Sequence, residues 1–188
     1  MEDSDLAAVA RVRAGDEDGF RLLVERHGRS VFRLAYRMTG NEHDAEDVVQ
    51  ETFLRAYKQI NRYESRASFG TWLYRIAANY ALDLMRARKR RQPAQPAAGG
   101  GDGLLAIPST DPWPDRMAFG NELQQKIAAA MNELSAQERT AFVLRHFEGQ
   151  SIVEISAALG IGENAAKHSI FRAVQKLRRA LEPMVASA

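Results

Sequence analysis

The chain has 188 residues, 45% hydrophobic and 27% charged, with 26 Lys and Arg against 24 Asp and Glu. That length suits one large or two small domains, and no apolar run approaches the ~20 residues that span a bilayer. Cysteine is absent, so disulfides and thiolate metal sites are excluded; the acidic start Met1-Glu2-Asp3-Ser4-Asp5 lacks the plan of a secretory signal, and a cytoplasmic protein is expected.

A short opening helix is expected from about Asp5 to Ala14. From Phe20, apolar residues recur at Leu23, Val24, Val31, Leu34, Ala35 and Met38, the spacing of one helix face, and Gly40 ends that run. A second stripe joins Ala45, Val48, Val49, Thr52, Phe53, Ala56, Tyr57 and Ile60. It leaves Asp44, Asp47, Gln50, Glu51 and Arg55 adjacent on the outer side of the same helix. Residues 42–51 hold five acids and no Lys or Arg.

A polar loop follows, from Asn61 to Ala67. Ser68 then caps a third long helix carrying Phe69, Trp72, Leu73, Ile76, Ala77, Tyr80 and Leu84. Asn79, Asp83, Arg86 and Arg90 line one edge of it and run into Arg86-Ala-Arg-Lys-Arg-Arg91, five bases without an acid. Like charges packed this closely repel unless an anion neutralises them. A positive track beside aromatic side chains, here Tyr63, Phe69, Trp72 and Tyr74, is how single-stranded DNA is held. Phe69 and Trp72 are better placed as core.

Residues 92–115 change character. Gln-Pro-Ala-Gln-Pro-Ala-Ala-Gly-Gly-Gly-Asp-Gly has a linker composition, and Pro108, Pro112 and Pro114 bar a helix through the rest. Gly99-Gly100-Gly101 lacks the Lys-Ser/Thr of a phosphate-cradling loop. The expected domains are therefore 1–92 and 116–188, joined by a flexible linker at 93–115.

Leu123, Ile127, Met131 and Leu134 mark the first helix beyond the linker. Ser135-Ala-Gln-Glu138 and Ser151-Ile-Val-Glu154 each fit a capping box, opening helices at about 136–147 and 152–159. Gly160-Ile161-Gly162 is a tight turn, and Ile170, Val174, Leu177 and Leu181 form the expected buried stripe of the last helix. A short capped helix, a Gly turn and a longer helix are the parts of a helix-turn-helix, whose second helix enters the major groove. Asn164, Lys167, His168, Phe171, Arg172 and Gln175 share its polar side, where they can meet phosphates or base edges. No strand-like alternation of useful length occurs, so the expected fold class is all-α: two small helical domains, the C-terminal one containing a helix-turn-helix.

These segments resemble a known family. Asp44-Ala-Glu-Asp-Val-Val-Gln-Glu-Thr-Phe-Leu-Arg-Ala-Tyr57 is similar to the helix with which bacterial sigma factors grip the coiled coil of the polymerase beta-prime subunit. Phe69-Gly-Thr-Trp-Leu-Tyr-Arg-Ile-Ala-Ala-Asn79 resembles their promoter-melting segment, continued by Ala81-Leu-Asp-Leu-Met-Arg86. Ser151-Ile-Val-Glu-Ile-Ser-Ala-Ala-Leu-Gly160 is similar to the first helix of their −35-binding unit. Two helical domains around one linker fit the extracytoplasmic-function (ECF) class.

The resemblance implies that Asp44, Asp47, Gln50 and Glu51 bind core RNA polymerase through the beta-prime coiled coil, with the beta subunit as a further partner. It implies that loop residues Arg62, Tyr63 and Ser65 capture a flipped base of the −10 element, which Asn79, Asp83, Arg86 and Arg90 read or flank. Asn164, Lys167, His168, Phe171, Arg172 and Gln175 would contact the −35 element. Promoter DNA and an anti-sigma factor are the other implied partners. No cofactor, resident metal, enzymatic activity or membrane insertion is expected. This chain departs from the family's common pattern at Lys167-His168-Ser169, at Arg172-Ala173-Val174 and at Gly162, where arginines or a proline are frequent.

Rival readings are a helix-turn-helix repressor or activator, a metal-dependent hydrolase using His43, Glu46 and Asp47, and an adaptor that binds polymerase without reading DNA. His43 has no second histidine nearby in sequence, and acid-rich helix starts are favoured by the helix dipole alone.

Overall fold

The computed structural model describes residues 4–91 and 121–185, so the expected linker lies outside the described residues. Helix α1 (Asp5–Arg13) starts where the Ser4 hydroxyl accepts the Ala7 amide. Helix α2 (Glu17–Thr39) is capped by Asp16 and ends at Gly40, whose φ of 69° is the left-handed conformation a side chain disfavours. Asn41 caps α3 (Glu42–Gln59), accepting the Asp44 amide at 2.9 Å. A 3₁₀ turn (Ile60–Arg62) leads into the loop, and Ser68 accepts the Thr71 amide at 3.1 Å to open α4 (Phe69–Arg91).

The second group comprises α5 (Asn121–Asn132), α6 (Ala136–His146), α7 (Ile152–Leu159) and α8 (Glu163–Val185). Both expected capping boxes are present. Ser135 and Ser151 accept amides from Glu138 and Glu154, whose carboxylates accept the serine amides in return. Gly160 ends α7 in the left-handed region, and two further residues separate it from α8. The described residues contain helices and turns but no strand.

In the first group α2, α3 and α4 pack pairwise and α1 lies on α2. Leu23, Val31, Leu34, Met38, Val48 and Leu73 are fully buried there. Burying side chains of this size stabilises the fold by about 1.5–3 kcal/mol each. Phe69 and Trp72 join that core, as their spacing implied. In the second group Val143, Leu144, Ile155, Ala166 and Ala173 are the buried centre.

Two expectations about burial do not hold. Val174 is 39% exposed, because Ala166, Ala173 and Leu177 set the inward line of α8, and the next residue after Ala173 lies about 100° round the helix. Tyr57 is 46% exposed and leans edge-on against Phe20, with ring centroids 5.0 Å apart, at the rim of the core.

The two groups also touch: α4 packs on α6 and α7, and α2 on α6. The sequence carries no periodic signal for that seam.

Gly19 lets α1 and α2 approach. A Cβ there would stand 2.8 Å from the Ala8 carbonyl oxygen and 2.9 Å from Arg11 Cβ, whereas a Cβ at Gly28 meets nothing within 4 Å. Gly19→Ala is therefore expected to lower stability by about 1–3 kcal/mol through overpacking. Gly28→Ala, inside the same helix, should raise it by roughly 0.5–1 kcal/mol. Urea midpoints of the two variants, moving in opposite directions, check both.

Candidate functional site

Three surfaces carry the residues singled out by sequence. The first is the outer face of α3. The Asp47 side chain is 44% exposed and Gln50 is exposed, while Glu51 is held by Arg55 at 2.6 Å. Arg55 in turn lies over the Tyr80 ring of α4, 5.0 Å from its centroid. Asp44 is turned away from this open face and pairs with Arg88 of the basic run at 2.6 Å.

Leu54 is 46% exposed on the same face, seven residues beyond Asp47. Sequence reasoning passed over it. The available signal was an apolar residue out of phase with the buried stripe and aligned with the acids.

His43 is largely solvent-exposed and 4.0 Å from Asp47. Among the described residues no cluster of three or more His, Asp or Glu side chains is arranged to hold a metal ion.

The second surface joins the loop at 61–68 to the outer edge of α4. Arg62 and Ser65 are exposed, and Ser65 has a φ of 58°, a left-handed conformation uncommon for a residue with a side chain. Tyr63 is buried rather than presented to solvent. Its ring stands 5.4 Å from Phe69 and 5.3 Å from Trp72, and its hydroxyl donates to the Ala67 carbonyl at 2.8 Å. Burial, seconded by the Asp5 charge and opposed by Arg13, raises its pKa above the usual phenol value.

Arg13 reaches across from α1 and donates to the Ile60 carbonyl at 2.9 Å and to that of Tyr63. The strained loop is thus fixed from within by Tyr63 and from outside by Arg13, with Arg62 and Ser65 exposed on its surface. Asn79, Asp83, Arg86 and Arg90 are all exposed along α4. The Asn79 amide donates to the Arg75 carbonyl at 2.9 Å, which sets its orientation.

The third surface is α8. Asn164, Lys167, His168, Phe171, Arg172 and Gln175 are all exposed, Phe171 by 61%. Exposed Arg178 and Arg179 extend the basic line by one turn, residues the sequence reading did not include. Ser169 is buried, accepting from Gln137 at 2.9 Å and donating to the Ala165 carbonyl at 2.8 Å. It braces α8 against α6 and is not free to meet DNA.

Lys176 is engaged by Glu138 at 2.7 Å. Burial pushes the Glu138 carboxyl up, but Lys176 and the Ser135 amide outweigh it and hold the group below its ordinary value. Two amides, two cations, an imidazole and an aromatic face on one helix can donate to phosphates, pair with base edges and cover a thymine methyl.

The comparisons match this geometry piece by piece. Sigma-70 region 2 matches residues 23–91, and Sigma-70, region 4, matches residues 124–177. The ECF RNA polymerase sigma factor SigW of Bacillus subtilis is 33% identical over 179 residues, covering 94% of this chain and 96% of that protein. The chain belongs to the ECF family of RNA polymerase sigma factors.

Other relatives agree. The RNA polymerase sigma-H factor of Pseudomonas aeruginosa is 31% identical over 194 residues, covering 100% of this chain and 98% of that one. The ECF sigma factor SigE of Mycolicibacterium smegmatis is 39% identical over 157 residues, but this chain spans only 59% of that protein's length. Among solved structures, CnrH in complex with the cytosolic domain of CnrY superposes with a TM-score of 0.66 at 25% identity, covering 97% of this chain and 99% of that one. The region 2 match of this sigma factor covers most of α2 and all of α3 and α4, and the region 4 match spans α6, α7 and most of α5 and α8.

Removing Arg13 tests how the region 2 loop is held. A hydrogen bond from a charged donor is worth about 1.5–3 kcal/mol. Arg13→Ala is expected to speed amide hydrogen exchange across residues 61–68 by about tenfold or more while leaving α6 to α8 unchanged.

Proposed function

We propose that this sigma factor works by a division of labour between faces of opposite charge. The outer face of α3, with Asp47, Gln50, Glu51 and Leu54, docks on the beta-prime coiled coil of core polymerase; Asp44 contributes once Arg88 releases it. The exposed edge of α4, with Asn79, Asp83, Arg86 and Arg90, holds the opened −10 element. Arg62 and Ser65 border the base pocket that Tyr63 shapes from below. The polar side of α8 anchors the −35 duplex through Asn164, Lys167, His168, Phe171, Arg172 and Gln175.

Residues 1–92 and 116–188 act as separate domains, with 93–115 as the tether between them. The protein is not an enzyme and works in the cytoplasm. Melting is driven by binding, because flipping a base costs a few kcal/mol, which pocket and phosphate contacts offset.

An anti-sigma factor is the expected regulator. CnrH is solved in complex with the cytosolic domain of CnrY, and RpoE of Bartonella quintana, 23% identical, is solved with the anti-sigma factor NepR. The observation that carries this reading is the pairing of an acidic, partly apolar α3 face with an adjoining basic α4 edge in one small bundle. A partner that is itself a protein and a partner that is nucleic acid are thereby offered neighbouring but distinct surfaces.

In transcription with purified core polymerase, Asp47→Arg with Glu51→Arg should abolish association with core. Asn79→Ala with Arg86→Ala should abolish promoter opening while leaving core binding intact. Wild-type core binding by the first double variant would overturn the assignment of the α3 face. Lys167→Ala and Arg172→Ala should each flatten the salt dependence of promoter binding by about 0.9 log units per log unit of salt, the share of one phosphate contact.

A further inference from the structure

Helix α1 precedes the region 2 match, which begins at residue 23. It is nine residues long, about 13.5 Å at 1.5 Å per residue, and each of its ends is tied to the loop at 61–68. Its Ala8, Val9 and Val12 are buried against α2. Gly19 admits its backbone so closely that a Cβ there would stand 2.8 Å from the Ala8 carbonyl oxygen. A helix packed this tightly transmits position from one end to the other.

At the C-terminal end, Arg13 donates to the carbonyls of Ile60 and Tyr63. The Ile60 carbonyl already accepts the Tyr63 amide, so its second lone pair goes to Arg13. Holding the Tyr63 carbonyl fixes the peptide plane that leads into Glu64 and then Ser65, the residue with a φ of 58°. A guanidinium suits this task, because its rigid fork reaches two acceptors at once.

At the N-terminal end, Asp5 lies 2.9 Å from His27 Nε2 and 2.5 Å from Arg26 Nη1. The His27 ring stands 5.5 Å from that of Phe69, which meets Tyr63 edge-on at 5.4 Å. The same imidazole lies against Gly70, where a Cβ would be 3.6 Å from Nδ1. Asp5 thus orients the ring that backs the aromatic cluster. The two ties converge on Tyr63, one through its backbone and the other through its ring stack.

We propose that α1 is a clamp for base capture, with Arg13 and Asp5 as positioning residues that hold the loop at 61–68 in the shape that receives a flipped −10 base. The helix supplies no base contact of its own. A loop ordered before binding spares the complex the cost of ordering it, so affinity is gained without a new contact. This role rests on the reading of that loop as the base pocket.

The test uses holoenzyme assembled from core polymerase and the full-length chain. Its probe is a labelled non-template oligonucleotide spanning the −10 element of a promoter it transcribes. Fluorescence anisotropy is read on the intact strand and on strands made abasic at one position at a time. In wild type one abasic position should weaken binding, because the captured base is gone. Arg13→Ala and Asp5→Ala should each weaken binding of the intact strand by about tenfold. On the strand abasic at the sensitive position both should match wild type, since no base remains to be positioned. Asp5→Asn, which still offers an oxygen to His27, should bind the intact strand as wild type does. Association with core polymerase should be unchanged throughout.

An equal loss on intact and abasic strands would overturn the clamp, since a lost phosphate contact or a loosened fold produces that pattern. Wild-type affinity of Arg13→Ala and Asp5→Ala for the intact strand would overturn it too. A wild type with no abasic-sensitive position would sink the base-pocket reading and the clamp with it. The wild-type scan alone therefore judges the pocket, and the variants judge the clamp.

Discussion

Helix α4 has to satisfy two solvents at once, and the rest of the structure follows from how it does so. Its inner stripe, from Phe69 through Leu73 and Ala77 to Ala81, is buried on α2 and α3, which fixes the helix in place. Its outer edge is thereby left to Asn79, Asp83, Arg86 and Arg90 without any residue having to move. A helix in the wrong phase would bury arginines, at a cost of several kcal/mol for each charge removed from water. The apolar stripe therefore aims the basic edge as well as stabilising the bundle. The same stripe seats Trp72 against Tyr63, so the position of the loop at 61–68 depends on α4 too.

The opposite charges of α3 and α4 are less separate than a simple two-face description has them. Asp44 and Arg88 bridge the two helices at 2.6 Å, and Arg55 joins Glu51 to the face of Tyr80. Exposed pairs of this kind contribute about 0–1 kcal/mol and weaken with salt, so they do not hold the bundle together. They do keep each surface partly neutralised before a partner arrives. A phosphate that draws Arg88 away would leave Asp44 uncompensated at the edge of the α3 face. Charge at one surface is in this way tied to occupancy of the other.

Most helices were legible in the sequence because their signals are local. Ser135 and Ser151 with their partner glutamates, Gly40 and Gly160, and the three-and-four spacing in α2 each act within a few residues. The candidate surfaces were legible to the extent that they lie opposite a buried stripe, which is why the polar side of α8 is exposed as expected. Where inward and outward are decided by small differences of phase, the reading failed. Ala173 is a weaker hydrophobe than Val174 but holds the inward line. Tyr63 was expected at the DNA, yet its ring fills the space between Phe69 and Trp72, a tertiary contact that no spacing encodes. Arg13 escaped notice for the same reason, since the carbonyls it holds are 47 and 50 residues away. The seam between the two groups draws on residues such as Trp72 and Leu144 that lie far apart in the chain, and a local sequence pattern could not have announced it.

The contact between the groups combines apolar burial with a few polar bridges. The buried side chains of the two groups form one hydrophobic cluster, and apolar burial gains about 25 cal/mol per Å². The polar contacts beside it are left incomplete. Arg139 is buried, desolvation alone holds its pKa down to about 10, and its Nη2 is without a partner although Nε and Nη1 are engaged. An unpaired buried donor costs about 1–3 kcal/mol, which water would return if the seam parted. The Arg37–Glu148 pair at 3.0 Å favours the contact between the groups, and the stranded Arg139 nitrogen opposes it.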